Sequence, residues 1–228
     1  MSIKSNLQEV QQEIKLAATR AGREVSEITL IGVTKTHPVE MMREMIDLGV
    51  VDIGENKAQE VRDKYLALER EANWHFIGHL QKNKVKYIID KVCMIHSVES
   101  VSLAKEISKR GIQLAKVMPI LVEVNISGEE SKHGLKAEDV IEFLTEIETL
   151  EGIRVDGLMT MAPNFDNIEK TRPVFKGLKT LFDELNRKGR DLNFLSMGMS
   201  HDYRIAIEEG ATHVRVGNAI LGKRDYTK

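Results

Sequence analysis

Lys35 is the residue whose place in the chain most suggests chemistry. It closes the run Leu30-Ile31-Gly32-Val33-Thr34-Lys35. Side chains alternate faces along a strand, so Lys35 shares a side with Val33 and Ile31. If that side faces an interior, the amine is set among apolar groups that disfavour its charged form. A neutral amine is what imine formation with a carbonyl requires. The plainer reading is a lysine whose head reaches water at a strand end, and position alone does not choose between the two.

Two loops further on read as anion sites. Ser196-Met197-Gly198-Met199-Ser200 precedes a helical pattern carrying Tyr203 and Ile207. Gly198 permits a positive φ or close backbone approach, and Ser200 reads as the N-cap of that helix. Amides at a helix start point outward and attract anions. Arg215-Val216-Gly217-Asn218 repeats the pattern, with another glycine before another expected helix. Either loop could equally be an ordinary capped turn. Arg215 lies within an apolar run, where a charged side chain facing inward needs a partner, either a carboxylate or a ligand atom. Asn56 and His79 each follow a strand-like run, and Glu123 and Asn125 alternate with Val122 and Val124. No His-x-x-x-His pair falls on a predicted helix, and no metal site is expected.

An imine-forming lysine, an anion loop and an arginine together satisfy pyridoxal 5′-phosphate, which presents an aldehyde, a phosphate and a ring nitrogen. A lysine aldolase acting on a phosphorylated sugar would need the lysine and the loop as well.

Eight short β-rich runs must position these groups: 29–33, 51–53, 74–77, 94–96, 119–125, 154–159, 193–197 and 212–216. Amphipathic stretches with three- or four-residue spacing separate them. A further helix precedes the first run, with Leu7, Val10, Ile14, Ala17, Ala18 and Ala21 on one face, Ser5 and Gln8 as its expected capping box and Gly22 as its stop. Pro173 marks a helix start. This alternation predicts an α/β fold, a single (β/α)8 TIM-type barrel with an extra N-terminal helix, spanning 1–228 as one domain; an open doubly wound sheet is the alternative. Lys35, Asn56, His79 and the two glycine loops fall at or just after strand ends, and Arg215 lies near the end of the eighth run; the C-terminal strand ends are the active face of such barrels.

Composition narrows the rest. The 228 residues are 42% hydrophobic and 30% charged, with one cysteine, Cys93, and a net charge of −2. Intrachain disulfides and Cys-rich metal sites are excluded. Nothing reaches the ~18 apolar residues of a membrane span, and the polar start lacks a leader's apolar stretch. A cytoplasmic location is expected. The charge balance gives no pull toward nucleic acid, and Lys82, Lys84, Lys86 and Lys91 read as a solvated helix face.

Taken with their neighbours, these residues resemble the YggS/PROSC family, the pyridoxal phosphate homeostasis proteins, over almost the whole chain. The resemblance rests on Val33-Thr34-Lys35-Thr36, Gly54-Glu55-Asn56, Trp74-His75-Phe76-Ile77-Gly78-His79-Leu80-Gln81-Lys82-Asn83-Lys84, Asn125-Ile126-Ser127, Lys132-His133-Gly134, Gly157-Leu158-Met159-Thr160-Met161, Ser196 to Asp202 and Arg215-Val216-Gly217. It implies a barrel like the alanine racemase N-terminal domain. Lys35 would carry the cofactor as a Schiff base; Gly198, Met199 and Ser200 would hold its phosphate; Arg215 would stand beside its pyridine nitrogen. Asn56, Met159, Ser196 and Gly217 complete the expected surroundings. Asn218 and Lys57 depart from the family's usual residues, which affects the detail of the mouth.

The resemblance further implies a monomer that acts in vitamin B6 and amino-acid homeostasis, without catalytic residues. Small amines, amino acids and apo-enzymes are its expected partners. An arginine cannot accept a hydrogen bond, so beside the ring nitrogen it leaves a weak electron sink. The chain also ends near the barrel's end, so no second domain is expected to supply a racemase's second base. A weak amino-acid racemase remains the alternative, with an aldolase behind it.

Overall fold

The computed structural model describes residues 2–129 and 132–222. Eight parallel strands close on themselves: β1 (Thr29–Val33), β2 (Asp52–Glu55), β3 (Asn73–Phe76), β4 (Met94–Val98), β5 (Met118–Asn125), β6 (Ile153–Met159), β7 (Phe194–Met199) and β8 (His213–Val216). Each pairs with the next, and β8 returns to β1 with Arg215 opposite Ile31. The barrel expected from the alternating pattern is therefore present, and the open sheet is not. The final stretch of the expected domain, 223–228, lies outside the described residues.

The helices are α1 (Ile3–Arg20), α2 (Val39–Asp47), α3 (Ala58–Ala67), α4 (Val101–Gln113), α5 (Val140–Ile147), α6 (Arg172–Arg187), α7 (Tyr203–Glu208) and α8 (Asn218–Leu221). Their apolar stripes pack on the outward-facing strand residues, such as Ile53, Trp74, Ile95 and Leu158. That arrangement buries one stripe per helix and one face per strand. Helix α1 covers the closing seam beside α7 and α8, burying Leu7, Val10 and Ile14, and Asn6 Nδ2 donates to Ile220 O at 2.9 Å. Pro173 sits in the first turn of α6 as expected.

Two local expectations change and one holds. The capping box of α1 is Ser2 with Ser5, not Ser5 with Gln8, so the helix starts one turn earlier. Ser2 is the residue whose hydroxyl can reach the N3 amide at that start. The segment after β3 is a short 3₁₀ helix, Lys82–Tyr87, instead of an α-helix. Its basic residues are partly engaged with rings: Lys84 and Lys86 lie 5.7 and 5.0 Å from the Tyr87 centroid. Gly22, with φ +64, ends α1 as read, the Arg23 amide reaching back to Ala18 O.

The barrel interior departs from the usual branched apolar filling. Alternation turns Ile31, Val33, Gly54, Ile77, Leu121 and Met159 inward, but also His75, His96, Glu123, Ser196, His213 and Arg215. Close approach leaves no room at some backbones. A Cβ on Gly157 would lie 1.9 Å from Phe194 O. Gly157→Ala must push β6 and β7 apart and is expected to destabilise by about 1–3 kcal/mol or more, read as a lowered urea midpoint. An unchanged midpoint would contradict this strand spacing.

Candidate functional site

A cavity of about 220 Å³ opens at the C-terminal ends of the strands, lined by Val33, Lys35, Asn56, Ile77, Met161, Met199, Ser200, His201, Arg215, Gly217 and Asn218. Clefts of about 370 and 320 Å³ lie at the opposite, N-terminal end and contain no lysine. The smaller cavity is the chemical one, because strand ends bring an amine, an amide, a guanidinium and a hydroxyl into one space.

Lys35 is half-buried, two residues beyond the interior Val33. The backbone on both sides of it is fixed by charge. Lys64 Nζ donates to Thr34 O at 2.9 Å, to Glu55 Oε1 at 2.8 Å and to Glu60 Oε2 at 2.7 Å. Thr34 Oγ1 donates to Glu55 Oε1 at 2.7 Å, and the Thr36 amide donates to Glu60 Oε2 at 2.8 Å. Burial pushes the Glu55 carboxyl up against the pull of Lys64, while Lys64 and the Thr36 amide hold Glu60 low despite its own burial. Thr36 has φ +67, an outlier for a β-branched residue. Such strain, of order 1–3 kcal/mol, persists only where the surroundings impose it; here the Glu60 carboxylate imposes it directly after the lysine.

Arg215 is buried on β8, facing in. Its Nη1 donates to Ser196 Oγ at 2.6 Å and its Nη2 to Thr160 O at 3.0 Å. Both partners are neutral oxygens. Burial lowers the guanidinium to about 10, against the opposing pull of Glu123 and Asp202, so it remains charged at neutral pH.

From Ser196 a line of hydrogen bonds runs down the barrel. Ser196 Oγ meets His96 Nδ1 at 2.9 Å, His96 Nε2 meets His75 Nδ1 at 3.0 Å, and His75 Nε2 meets Asp52 Oδ1 at 3.1 Å. Burial works against a charge on His75, but Asp52 and the Cys93 sulfur outweigh it and raise the imidazole to about 9. Burial and the His75 charge push His96 well below its ordinary value. With His75 protonated, both its nitrogens donate. His96 then accepts at Nε2 and donates from Nδ1 to the serine, a tautomer fixed by its neighbours.

The phosphate-type loops differ from the sequence reading in one respect. Gly198 takes φ +89, as a tight turn demands, and a Cβ there would lie 2.5 Å from Ala206 Cβ. Ser200 does not cap α7. Asp202 stands at that start, its Oδ1 accepting from the Met199 amide at 2.6 Å. Ser200 Oγ instead accepts from the Gly217 and Ala219 amides at 3.1 and 3.3 Å. It serves the neighbouring helix because the two loops lie side by side at the barrel rim. Gly217 packs against β1, with a Cβ there falling 2.9 Å from Val33 O.

Of the nine residues expected around a cofactor, Lys35, Asn56, Met199, Ser200, Arg215 and Gly217 line the cavity. Met159 packs below it with Met94 and Leu121. Ser196 acts through Arg215, and Gly198 shapes the turn. Val33, Ile77, Met161, His201 and Asn218 complete the lining; Ile77, Met161 and His201 entered the sequence reading only within the resembling segments, not as site residues. The Lys64 network was missed too, although the i,i+4 pair Glu60 and Lys64 was a readable signal. Glu123 and Asn125 do not satisfy each other. Asn125 Oδ1 accepts from Ser127 and Gly128, and Glu123 is buried with Oε1 unpartnered among the described residues. Burial, then the charge of Glu99, raises the Glu123 carboxyl to about 7.

Residues 5–225 match the family described as alanine racemase, N-terminal domain. A protein of Aquifex aeolicus named pyridoxal phosphate homeostasis protein is 45% identical over 228 residues, covering 99% of this chain and all of that one. This chain belongs to that family. PipY of Synechococcus elongatus PCC7942, in a structure described as having PLP bound, is 31% identical with a TM-score of 0.81, over 92% of this chain and 99% of that one. An alanine racemase of Clostridium difficile 630 shares the fold at 19% identity and a TM-score of 0.76, over all of this chain but 57% of the racemase. No helix among the described residues is long and apolar enough to cross a membrane.

The interior histidines make stability depend on acid. Burial, then the His75 charge, lowers His213 from 6.5 to about 4. The folded chain therefore refuses a proton that the unfolded chain accepts. Stability should hold above pH 6.5 and decline between pH 6.5 and 4, by up to roughly 3 kcal/mol from this group. Urea midpoints across that range should show a shallower decline for His213→Gln; an identical decline would remove His213 as the cause.

Proposed function

We propose that this chain binds pyridoxal 5′-phosphate at the Lys35 cavity and serves vitamin B6 and amino-acid homeostasis as a carrier, not as an enzyme. The observation that supports it most is the meeting of Lys35, Asn56, Ser200, Arg215 and Gly217 around one space at the strand ends. The cavity also fits such a guest in its unmet polar demand: Asn56 Oδ1 is buried and without a partner among the described residues. The names of the family relatives, and the cofactor described for PipY, point the same way.

Lys35 would hold the aldehyde carbon as a Schiff base, with the Met199–Ser200 turn and Gly217 at the phosphate and Arg215 at the pyridine nitrogen. The cofactor supplies a reversible imine link to primary amines. Ser196 and Thr160 fix the direction of the Arg215 charge, and a guanidinium that stays protonated donates only. It therefore leaves a ring nitrogen unprotonated and the electron sink weak, which suits storage and transfer better than turnover. Small amines, amino acids and apo-enzymes would then be the receivers. The chain would act as a monomer and a single domain, 1–228, in the cytoplasm.

Borohydride reduction of the purified protein soaked in pyridoxal 5′-phosphate should add one reduced cofactor, read by intact mass. Lys35→Ala should remove that addition. An unmodified wild-type mass after soaking in excess cofactor would overturn the reading. For the carrier role, amino acids in deuterated water should keep their α-protons over hours with the loaded protein. Exchange that depends on Lys35 would establish catalysis instead.

A further inference from the structure

Three side chains on the barrel rim converge outside the Lys35 cavity. His79 follows β3, Glu99 follows β4, and His133 lies in the loop after β5. The Nδ1 atoms of His79 and His133 lie 2.9 and 3.5 Å from the same oxygen, Glu99 Oε1. The two imidazoles stack with centroids 4.3 Å apart and planes 19° from parallel. One donor atom from each of the three residues lies within 4.8 Å of the other two.

The backbone that carries these groups is tied down from several sides. Glu99 Oε2 accepts from the Gly134 amide at 2.6 Å, which orients the carboxylate and anchors the residue after His133. Gly134 has φ +110 and packs on β5 so closely that a Cβ would lie 2.8 Å from the Asn125 amide nitrogen. Gly78, just before His79, is equally constrained: a Cβ there would lie 2.3 Å from Asn56 O, and its carbonyl accepts from Ser97 Oγ. Three separate strand-end segments thus hold their donors within one ion's reach, and the half-exposed, near-parallel imidazoles need only turn about their side-chain torsions for both Nδ1 atoms to meet it.

We propose that His79, Glu99 and His133 form a binding site for a divalent metal ion of the zinc class. Two imidazole nitrogens and a carboxylate oxygen are the three-ligand set of open zinc sites, with a fourth position left to water or a small ligand. Donors about 2.1 Å from a tetrahedral ion stand about 3.4 Å from one another. The 2.9 and 3.5 Å separations here bracket that figure. Mixed nitrogen and oxygen donors favour zinc, cobalt, nickel or copper over magnesium or calcium, which take oxygen cages. Neutral imidazoles need only carry their proton on Nε2 for Nδ1 to bind. Glu99 already has its second oxygen hydrogen-bonded, the outer support that metal-bound carboxylates use. The site shares a rim with the cofactor cavity, because His79 and Asn56 line one neighbouring recess, but it does not depend on cofactor binding.

The test uses the full chain, stripped of metal and titrated with Zn²⁺ against a chromophoric chelator, then with Co²⁺ followed by visible absorption. One equivalent of Zn²⁺ should bind, and Co²⁺ should give the intense bands of a four- or five-coordinate nitrogen and oxygen site. His79→Ala and His133→Ala should each weaken binding by more than about tenfold, the least that loss of a ligand's supporting partner produces. Both histidines are about half exposed, 46% and 55%, so circular dichroism should show the fold retained. Absence of stoichiometric binding, a Co²⁺ spectrum of the hydrated ion alone, or binding unchanged in both variants overturns the proposal. Retained borohydride labelling at Lys35 in these variants keeps this outcome separate from that of the cofactor reading.

Discussion

Arg215 holds a positive charge where water does not reach, and much of the barrel is arranged around that fact. A buried guanidinium is tolerated only when protein oxygens replace its hydration. Ser196 and Thr160 supply two of those oxygens. Ser196 can do so because its hydroxyl is itself held by His96, and His96 by His75, whose charge is balanced by Asp52 at the other end of the barrel. Inward positions that would ordinarily carry branched apolar residues are therefore given to histidine and serine. The small apolar cluster of Met94, Leu121 and Met159 fills only what this polar axis leaves.

Lys35 is controlled by a different device. It is placed by fixing the peptide units before and after it, with Lys64 and Glu55 on Thr34 and Glu60 on Thr36. Removing either partner of such a buried pair leaves an uncompensated charge, which is why these groups act as a unit. The strained Thr36 backbone marks where the strand stops and the chain must turn away while the lysine stays at the mouth. Amine and guanidinium are thus set by separate networks that meet only at the cavity.

The rim carries further polar groups. Glu123, with one oxygen unpartnered among the described residues, feels the charges of both Glu99 and Arg215. Glu99 in turn collects His79, His133 and the Gly134 amide. The open ends of parallel strands present loops from every βα unit to one face, so groups distant in sequence gather there.

Strand order, most of the helices, the barrel, the side Lys35 shares with Val33 and the turn at Gly198 were legible in the sequence, because periods of 2.0 and 3.6 and glycine's freedom at positive φ are local properties of the chain. That this side of Lys35 meets a cavity was not, because position alone left the amine a place in water. So was the proximity of the loops after β7 and β8, once a barrel was assumed. The partner of Ser200 was not legible: its hydroxyl reaches across to α8, and no spacing within 196–203 reports a neighbour at 217. Nor was the axis from Asp52 to Arg215, in which four of the five residues look like isolated polar interruptions of apolar strands. The joining of His79, Glu99 and His133 was equally hidden. Each such contact depends on which strands become neighbours and at what register when the barrel closes, and that is a property of the whole tertiary structure rather than of any segment.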